Sequence, residues 1–245
     1  MSIRAVAVLP SAGAGRRMGG VRKPLLELAG EPMLVHALRP FLAHPAVVQV
    51  IVALAPEEAQ RPPEWLTTLD PRIRVVVGGA ERGDSVRNGL EAVPADADVV
   101  LIHDAARPLV SAAEVDGAIA AAARGVGAVV AVPVVDTLKL VDARGAVLET
   151  RKRDGLWHAL TPQAFPRAMI LDAYRRAARD GITGTDDAAL VEHYGGEVVV
   201  VEGSRANIKV TTPADLELAE AVLAARREAG AACGTTLTTS PRANR

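Results

Sequence analysis

Pro10-Ser11-Ala12-Gly13-Ala14-Gly15-Arg16-Arg17-Met18-Gly19-Gly20 is the stretch from which the fold is read. It follows an apolar, valine-rich segment at 3–9, so the pair reads as a first strand running into a glycine-rich turn. An α/β protein commonly places a phosphate site at that junction. Moving outward, short apolar runs recur at 47–54, 73–77, 99–102, 126–132 and 198–201. Several lack strict alternation, as expected of strands covered on both faces of a mostly parallel sheet.

Helical patterns separate these runs. One spans 33–42 and is perturbed near Pro40. Val86, Leu90 and Val93 follow helical spacing, with Asp84 or Ser85 as the expected cap. Ser111 and Glu114 have capping-box spacing ahead of an alanine-rich run. Pro166 is expected to open a helix carrying Met169, Ile170, Ala173 and Tyr174. Thr212, Pro213 and Asp215 form another start signal, and Leu216, Ala219 and Leu223 supply that helix's apolar stripe. This alternation predicts an α/β three-layer, Rossmann-like sandwich around a mostly parallel central sheet.

The region 134–153 breaks the rhythm. Two β-like pieces, 137–141 and 146–150, flank Asp142-Ala143-Arg144-Gly145 and predict a projecting hairpin. An isolated two-stranded arm is marginal in water and gains from a partner chain. One domain is therefore expected over 1–230, including this arm, with a disordered polar tail over 231–245.

Composition narrows the function classes. Apolar residues make up 49% of the 245, which excludes disorder throughout; aromatics make up 2%, so the core rests on Ala, Val and Leu. Lys and Arg number 28 against 29 Asp and Glu, a net charge of −1 that argues against bulk nucleic-acid binding. The single cysteine, Cys233, cannot form an internal disulfide or a cysteine metal cluster. His36, His44, His103, His158 and His193 have no zinc-site spacing. No uncharged apolar stretch approaches the roughly eighteen residues of a membrane span, and no signal-peptide layout is present, so a cytoplasmic protein is expected.

The glycine-rich loop fails both common nucleotide motifs. Lys23 follows Arg22 and precedes Pro24, which does not fit a Walker A loop, and Met18 stands where a dinucleotide fingerprint needs glycine. Its chemistry still suits phosphate: glycines expose backbone N–H groups, and Arg16, Arg17, Arg22 and Lys23 cluster cations between positions 16 and 23.

Further motifs follow in order: VVGGAERGDSV at 76–86, LIHDAARP at 101–108, RDGLWHALTPQ at 153–163, Thr185-Asp186, and NIKVT at 207–211. Over about residues 4–225 the ordered set resembles the 2-C-methyl-D-erythritol 4-phosphate cytidylyltransferases of the non-mevalonate isoprenoid pathway. The resemblance implies an α/β homodimer that joins CTP to a branched polyol phosphate and releases pyrophosphate. Attack of a phosphate on the α-phosphorus brings two anions together, so fixed cations and Mg²⁺ or another divalent cation are needed more than a protein base.

By the same resemblance, Arg17 and Lys23 hold the triphosphate and stabilise the transition state, and Lys209 is catalytic. Ala12, Gly13 and Gly15 belong to the nucleotide loop. The family usually has Gln where this chain has Pro24. Gly78, Gly79 and Ser85 match the part that receives cytosine; a turn and a helix cap are their alternative roles. Asp104, at the C-terminal end of a strand, is read as a CTP and Mg²⁺ ligand or a turn cap, and Arg107 as a substrate contact or its ion-pair partner. Thr137 and Arg153, at the base of the arm, are implied to bind the polyol phosphate of the neighbouring subunit. Thr161 and Asp186 are implied acceptor contacts, although Thr161 could instead terminate a preceding strand and Asp186 also looks like a helix start. The nearest rival is a ribitol phosphate cytidylyltransferase; the segment with Arg153, Trp157 and Thr161 favours methylerythritol phosphate. A non-catalytic nucleotide-binding domain is disfavoured by the presence of Arg17, Lys23, Asp104, Arg107 and Lys209 together.

Overall fold

The computed structural model describes residues 2–13 and 25–235. Gly15, Arg16, Arg17, Arg22, Lys23 and Pro24 lie outside the described residues, as does the tail from 236. In chain order the elements are β1 (Ala5–Pro10), β2 (Glu27–Leu28), β3 (Glu31–Pro32), α1 (Met33–Ala43), β4 (Val47–Leu54), α2 (Pro56–Gln60), α3 (Glu64–Leu69) and β5 (Ile73–Val77). Then come α4 (Arg82–Glu91), β6 (Val99–Ile102), α5 (Ala112–Ala122), β7 (Gly127–Pro133), β8 (Leu138–Val141) and β9 (Val147–Arg151). The chain continues through β10 (Trp157–Pro166), α6 (Arg167–Asp180), α7 (Asp187–His193), β11 (Val198–Glu202) and α8 (Pro213–Thr235).

Seven strands form the main sheet in the order β11-β7-β10-β6-β1-β4-β5. All neighbours run parallel except β10, which is antiparallel to both β6 and β7. β1 sits inside the sheet, and Ala5 to Leu9 are fully buried. Its alternate side chains divide between two cores. Ala5, Ala7 and Leu9 pack in the layer holding Leu38 and Phe41 of α1 and Val115 of α5. Val6 and Val8 pack in the opposite layer with Val86 and Leu90 of α4 and Ile170 of α6. A strand buried on both sides by helices is what its unbroken apolar run requires. Gly89 lets α4 lie close on β1, because a Cβ there would collide with Val8 Cγ1. The three-layer α/β class read from the sequence is the one observed.

Three local expectations change. β10 runs through Thr161 to Pro166 and does not end at Thr161; its full extent was not anticipated, because its sequence mixes His158, Thr161, Pro162 and Gln163 into the apolar positions. α4 begins at Arg82, before the expected cap: Glu81 is the N-cap and Asp84 completes the capping box from inside the first turn. α8 continues past the expected boundary at 230 to Thr235. Other start signals act as read. Ser111 and Glu114 form a reciprocal capping box, and Asp215 Oδ2 accepts from the N–H groups of Thr211 and Thr212, each at 2.8 Å. Among the described residues β8 and β9 pair only with each other, around Asp142–Gly145, as a sheet separate from the main one, and every residue of β9 is exposed.

Candidate active site

β6 delivers His103 and Asp104 just beyond its last residue, at the C-terminal edge of the sheet. The Asp104 carboxylate is gripped by two cations from distant elements. Arg82 Nε donates to Oδ1 at 2.7 Å, and Lys209 Nζ donates to Oδ2 at 2.7 Å. Burial alone would push the Asp104 carboxyl up. Arg82 and Lys209 outweigh it and hold the group well below the usual carboxylate range, which favours the ionised carboxylate.

The loop bearing Lys209 is fastened to the loop bearing Asp104. Val210 N–H donates to Ala106 C=O at 2.8 Å, and Arg107 Nη1 donates to Asn207 C=O at 2.8 Å. Asn207 Nδ2 donates to Thr161 C=O and to Glu114 Oε1. Residues 207–210 are therefore irregular and not the short strand expected around Lys209: their polar groups serve this junction. Val210 is buried with Leu28, Met33 and Leu109, while the Lys209 side chain remains 44% exposed. That combination anchors the backbone and leaves the ammonium accessible to a substrate.

A second chain of bonds fixes the floor. Thr161 Oγ1 accepts from Asp104 N–H at 3.1 Å and lies 2.9 Å from His103 Nδ1. His103 Nε2 is 3.0 Å from Arg107 C=O, an acceptor, so the proton sits on Nε2 and Thr161 donates its hydroxyl to Nδ1. Burial lowers the His103 pKa to about 4 against the pull of that carbonyl, which keeps the ring neutral in this role. Arg107 is buried, and its Nε has no hydrogen-bond partner among the described residues. Burial depresses this guanidinium's pKa.

Gly78 and Gly79 follow β5. A Cβ on Gly78 would stand 2.5 Å from Ala12 Cβ, so the end of the first strand and the second glycine turn are in contact through this position. Gly79 N–H donates to Ser85 Oγ at 3.0 Å, which closes the turn onto α4. Gly13 is exposed beside Ala12. Asp186 N-caps α7 through Ala189 N–H and accepts from Gln163 Nε2 at 2.8 Å. Thr137 and Arg153 are exposed at the two feet of the arm, where Arg153 donates to Val135 C=O. Their contacts do not join the Asp104 group among the described residues.

Two residues in this site were not singled out from the sequence. Arg82 opens α4, and its fork donates to Asp187 Oδ1 and Oδ2 at 3.1 and 2.7 Å. A cation at a helix N-terminus opposes the helix dipole, and that mismatch was the available signal that carboxylates must face it. A cavity of about 450 Å³ opens beside this pair, lined in part by Arg82, Tyr174, Thr185 and Asp186. For Mg²⁺, no group of three His, Cys, Asp or Glu side chains is assembled among the described residues. Among the described residues Asp104 is the carboxylate suited to hold such an ion: Arg82 and Lys209 favour its ionised form, and each oxygen accepts one cationic donor with a further lone pair to spare. A single carboxylate suits Mg²⁺ carried largely by substrate phosphates.

The sequence profile of the 2-C-methyl-D-erythritol 4-phosphate cytidylyltransferases (IspD) matches residues 5–225. The chain belongs to this family. Among cytidylyltransferases of that name, the protein of Syntrophotalea carbinolica is 47% identical over 223 residues, covering 88% of this chain and 94% of the relative. That of Symbiobacterium thermophilum is 46% identical over 218 residues, covering 88% and 91%. The crystal structure of the Thermus thermophilus cytidylyltransferase superposes with a TM-score of 0.77 at 34% identity, covering 91% of this chain and 98% of that one. The 4-diphosphocytidyl-2C-methyl-D-erythritol synthase of Anaerococcus prevotii gives 0.80 at 28%, covering 91% and 99%.

Proposed function

We propose that this cytidylyltransferase moves the cytidylyl group of CTP onto 2-C-methyl-D-erythritol 4-phosphate, giving 4-diphosphocytidyl-2-C-methyl-D-erythritol and pyrophosphate. Family membership supports the reaction. The observation that carries its placement is the meeting of Lys209, Asp104 and Arg82 at the C-terminal edge of the sheet. The substrate phosphate is itself the nucleophile, so the site needs cations and not a base. Lys209 supplies an exposed ammonium aimed by Asp104, where negative charge gathers in the transition state. Arg107, whose Nε has no hydrogen-bond partner among the described residues, is the candidate contact for the polyol phosphate. Thr161 supports the Asp104 backbone from beneath, and Asp186 presents a carboxylate for acceptor hydroxyls at the cavity wall.

Ala12 and the Gly78–Gly79 turn form the adjoining wall for the nucleotide, with Ser85 behind it. Arg17 and Lys23 retain their assigned places on the triphosphate by resemblance. Mg²⁺, when bound, supplies neutralisation of triphosphate charge, and Asp104 is the residue that would hold it.

The working unit in this reading is a homodimer. Leu140, Val141, Val147 and Leu148 are 43–64% exposed on a two-stranded arm that has little to pack against in its own chain. A second copy covering the arm would carry Thr137 and Arg153 toward the neighbouring site. The decisive experiment is pyrophosphate release crossed over CTP, UTP, ATP and GTP and over methylerythritol and ribitol phosphates. Turnover with CTP and methylerythritol phosphate alone is expected; preferred use of ribitol phosphate would overturn the acceptor assignment.

A further inference from the structure

We propose that Asp187 is a positioning residue for the reaction, acting through Arg82 to set where Asp104 and Lys209 meet the substrates. The inference rests on the placement of the reacting centre given above.

Asp187 is fully buried and has been given no chemical role so far. It receives three hydrogen bonds: both terminal nitrogens of Arg82, and the Tyr174 hydroxyl at 2.6 Å to Oδ1. An apolar pair of similar volume would fasten α7 to α4 at no greater cost in stability, because taking two charges out of water offsets much of their attraction. Holding the helices together therefore does not by itself call for these charges.

Geometry supplies the reason. A guanidinium is planar and its donors form a rigid fork. With both terminal nitrogens held by Asp187, the direction of Nε is determined, and Nε is the atom that reaches Asp104 Oδ1 at 2.7 Å. Asp104 then turns its other oxygen to Lys209 Nζ at 2.7 Å. Tyr174 of α6 fixes the far end by its bond to Asp187. A continuous series, Tyr174–Asp187–Arg82–Asp104–Lys209, thus runs from the helical layer to the exposed ammonium. Loss of the Asp187 charge would free the Arg82 fork to follow Asp104 or solvent and loosen the aim of Lys209 with no substrate contact removed.

The test uses the full chain and four variants: D187N, Y174F, D104N and the double variant D187N/D104N. D187N, folded by circular dichroism, is expected to lose on the order of ten- to a hundredfold in kcat, as misaimed groups do, with KM for CTP changed by less than about threefold. Y174F, which deletes one hydroxyl and keeps the ring, is expected to lose kcat in the same sense by a smaller factor. It carries the test if D187N does not fold. The double variant is expected to be no slower than the slower single variant, because both changes break one series. Wild-type kcat in folded D187N, or in Y174F if D187N does not fold, would overturn the proposal while an impaired D104N leaves the site placement standing. So would independent multiplication of the two losses. Wild-type turnover in D104N would instead overturn the site placement, and the proposal with it.

Discussion

Lys209 and Asp104 stand 105 positions apart in the chain and meet at 2.7 Å. The contact joins the loop after β6 to the irregular segment before α8, and it places an accessible cation against a carboxylate that is 10% exposed. Such a pair aims the ammonium more than it stabilises the fold, since a half-exposed lysine is well solvated.

Lys209→Ala should therefore lower kcat by roughly 10²-fold, the scale of losing one donor to a developing oxyanion. CTP affinity measured by calorimetry should change much less, because the contact is worth most in the transition state. Near-normal kcat in the folded variant would remove Lys209 from the chemistry.

Glu114 should matter to both stability and turnover. Oε2 accepts from Ser111 N–H and Oγ at 2.7 and 2.9 Å, and Oε1 accepts from Ser204 N–H and Asn207 Nδ2 at 2.9 and 3.1 Å. Glu114→Ala strands buried donors and should cost about 3 kcal/mol in urea unfolding. It should also slow turnover, because Asn207 lies two positions before Lys209. A stability change within about 0.5 kcal/mol, the range of an ordinary surface substitution, would contradict this.

The arm offers a test of assembly. Val141 and Val147 are register partners, and both are exposed. Replacing Val141, Val147 and Leu148 together with Ser should shift sedimentation toward monomer while the far-ultraviolet spectrum stays unchanged. A wild-type molecule that sediments as a monomer at assay concentration, and is fully active, would defeat the dimer reading.

His36 should give stability a pH dependence. The ring is buried, its Nε2–H donates to Leu28 C=O at 2.8 Å, and Nδ1 faces Arg39 Nη1 at 3.4 Å. Burial lowers its pKa, with Arg39 and Arg227 acting in the same sense and the Leu28 bond and Glu31 opposing. The folded ring resists a proton that the unfolded chain accepts near its ordinary pKa of about 6.5. Its contribution is thus present above that value and declines as pH falls below it. Unfolding free energies between pH 7.5 and 5 should fall more steeply for the wild type than for His36→Gln; equal slopes would exclude the effect.

Much of this architecture can be read from local pattern. The runs that became β4, β5 and β6 are predominantly apolar, interrupted by Gln49 in β4 and Arg74 in β5, and the capping-box spacing of Ser111 and Glu114 announces α5. β10 escapes such reading because Thr161 and Gln163 are buried by partners far away in sequence: His103, Asp104, Asp186 and Ala188. The site divides in the same way. Asp104 stands out at a strand end, whereas Asp187 looks locally like an ordinary helix-start residue and Arg82 signals that carboxylates should face it without showing which. Their meaning comes from a pairing across 105 positions. Lys209 was marked by its motif, but its irregular backbone follows from bonds to Ala106 and Thr161 made by its neighbours.

The place of β10 in the sheet, between two strands made before it, also bears on how the polypeptide is made. β10 is the seam between β6 and β7, so the half of the sheet built from β1, β4, β5 and β6 is synthesised before its neighbour on that side exists. A nascent chain that has emerged only as far as residue 133 presents Val100 and Leu101, fully buried in the finished molecule, along an unpaired apolar edge. Open edges of this kind invite pairing with other chains. The interval between emergence of β6 and emergence of Pro166 is therefore when the growing protein most needs shielding, and ribosome-bound chaperone crosslinking should peak there and fall once β10 has closed the seam.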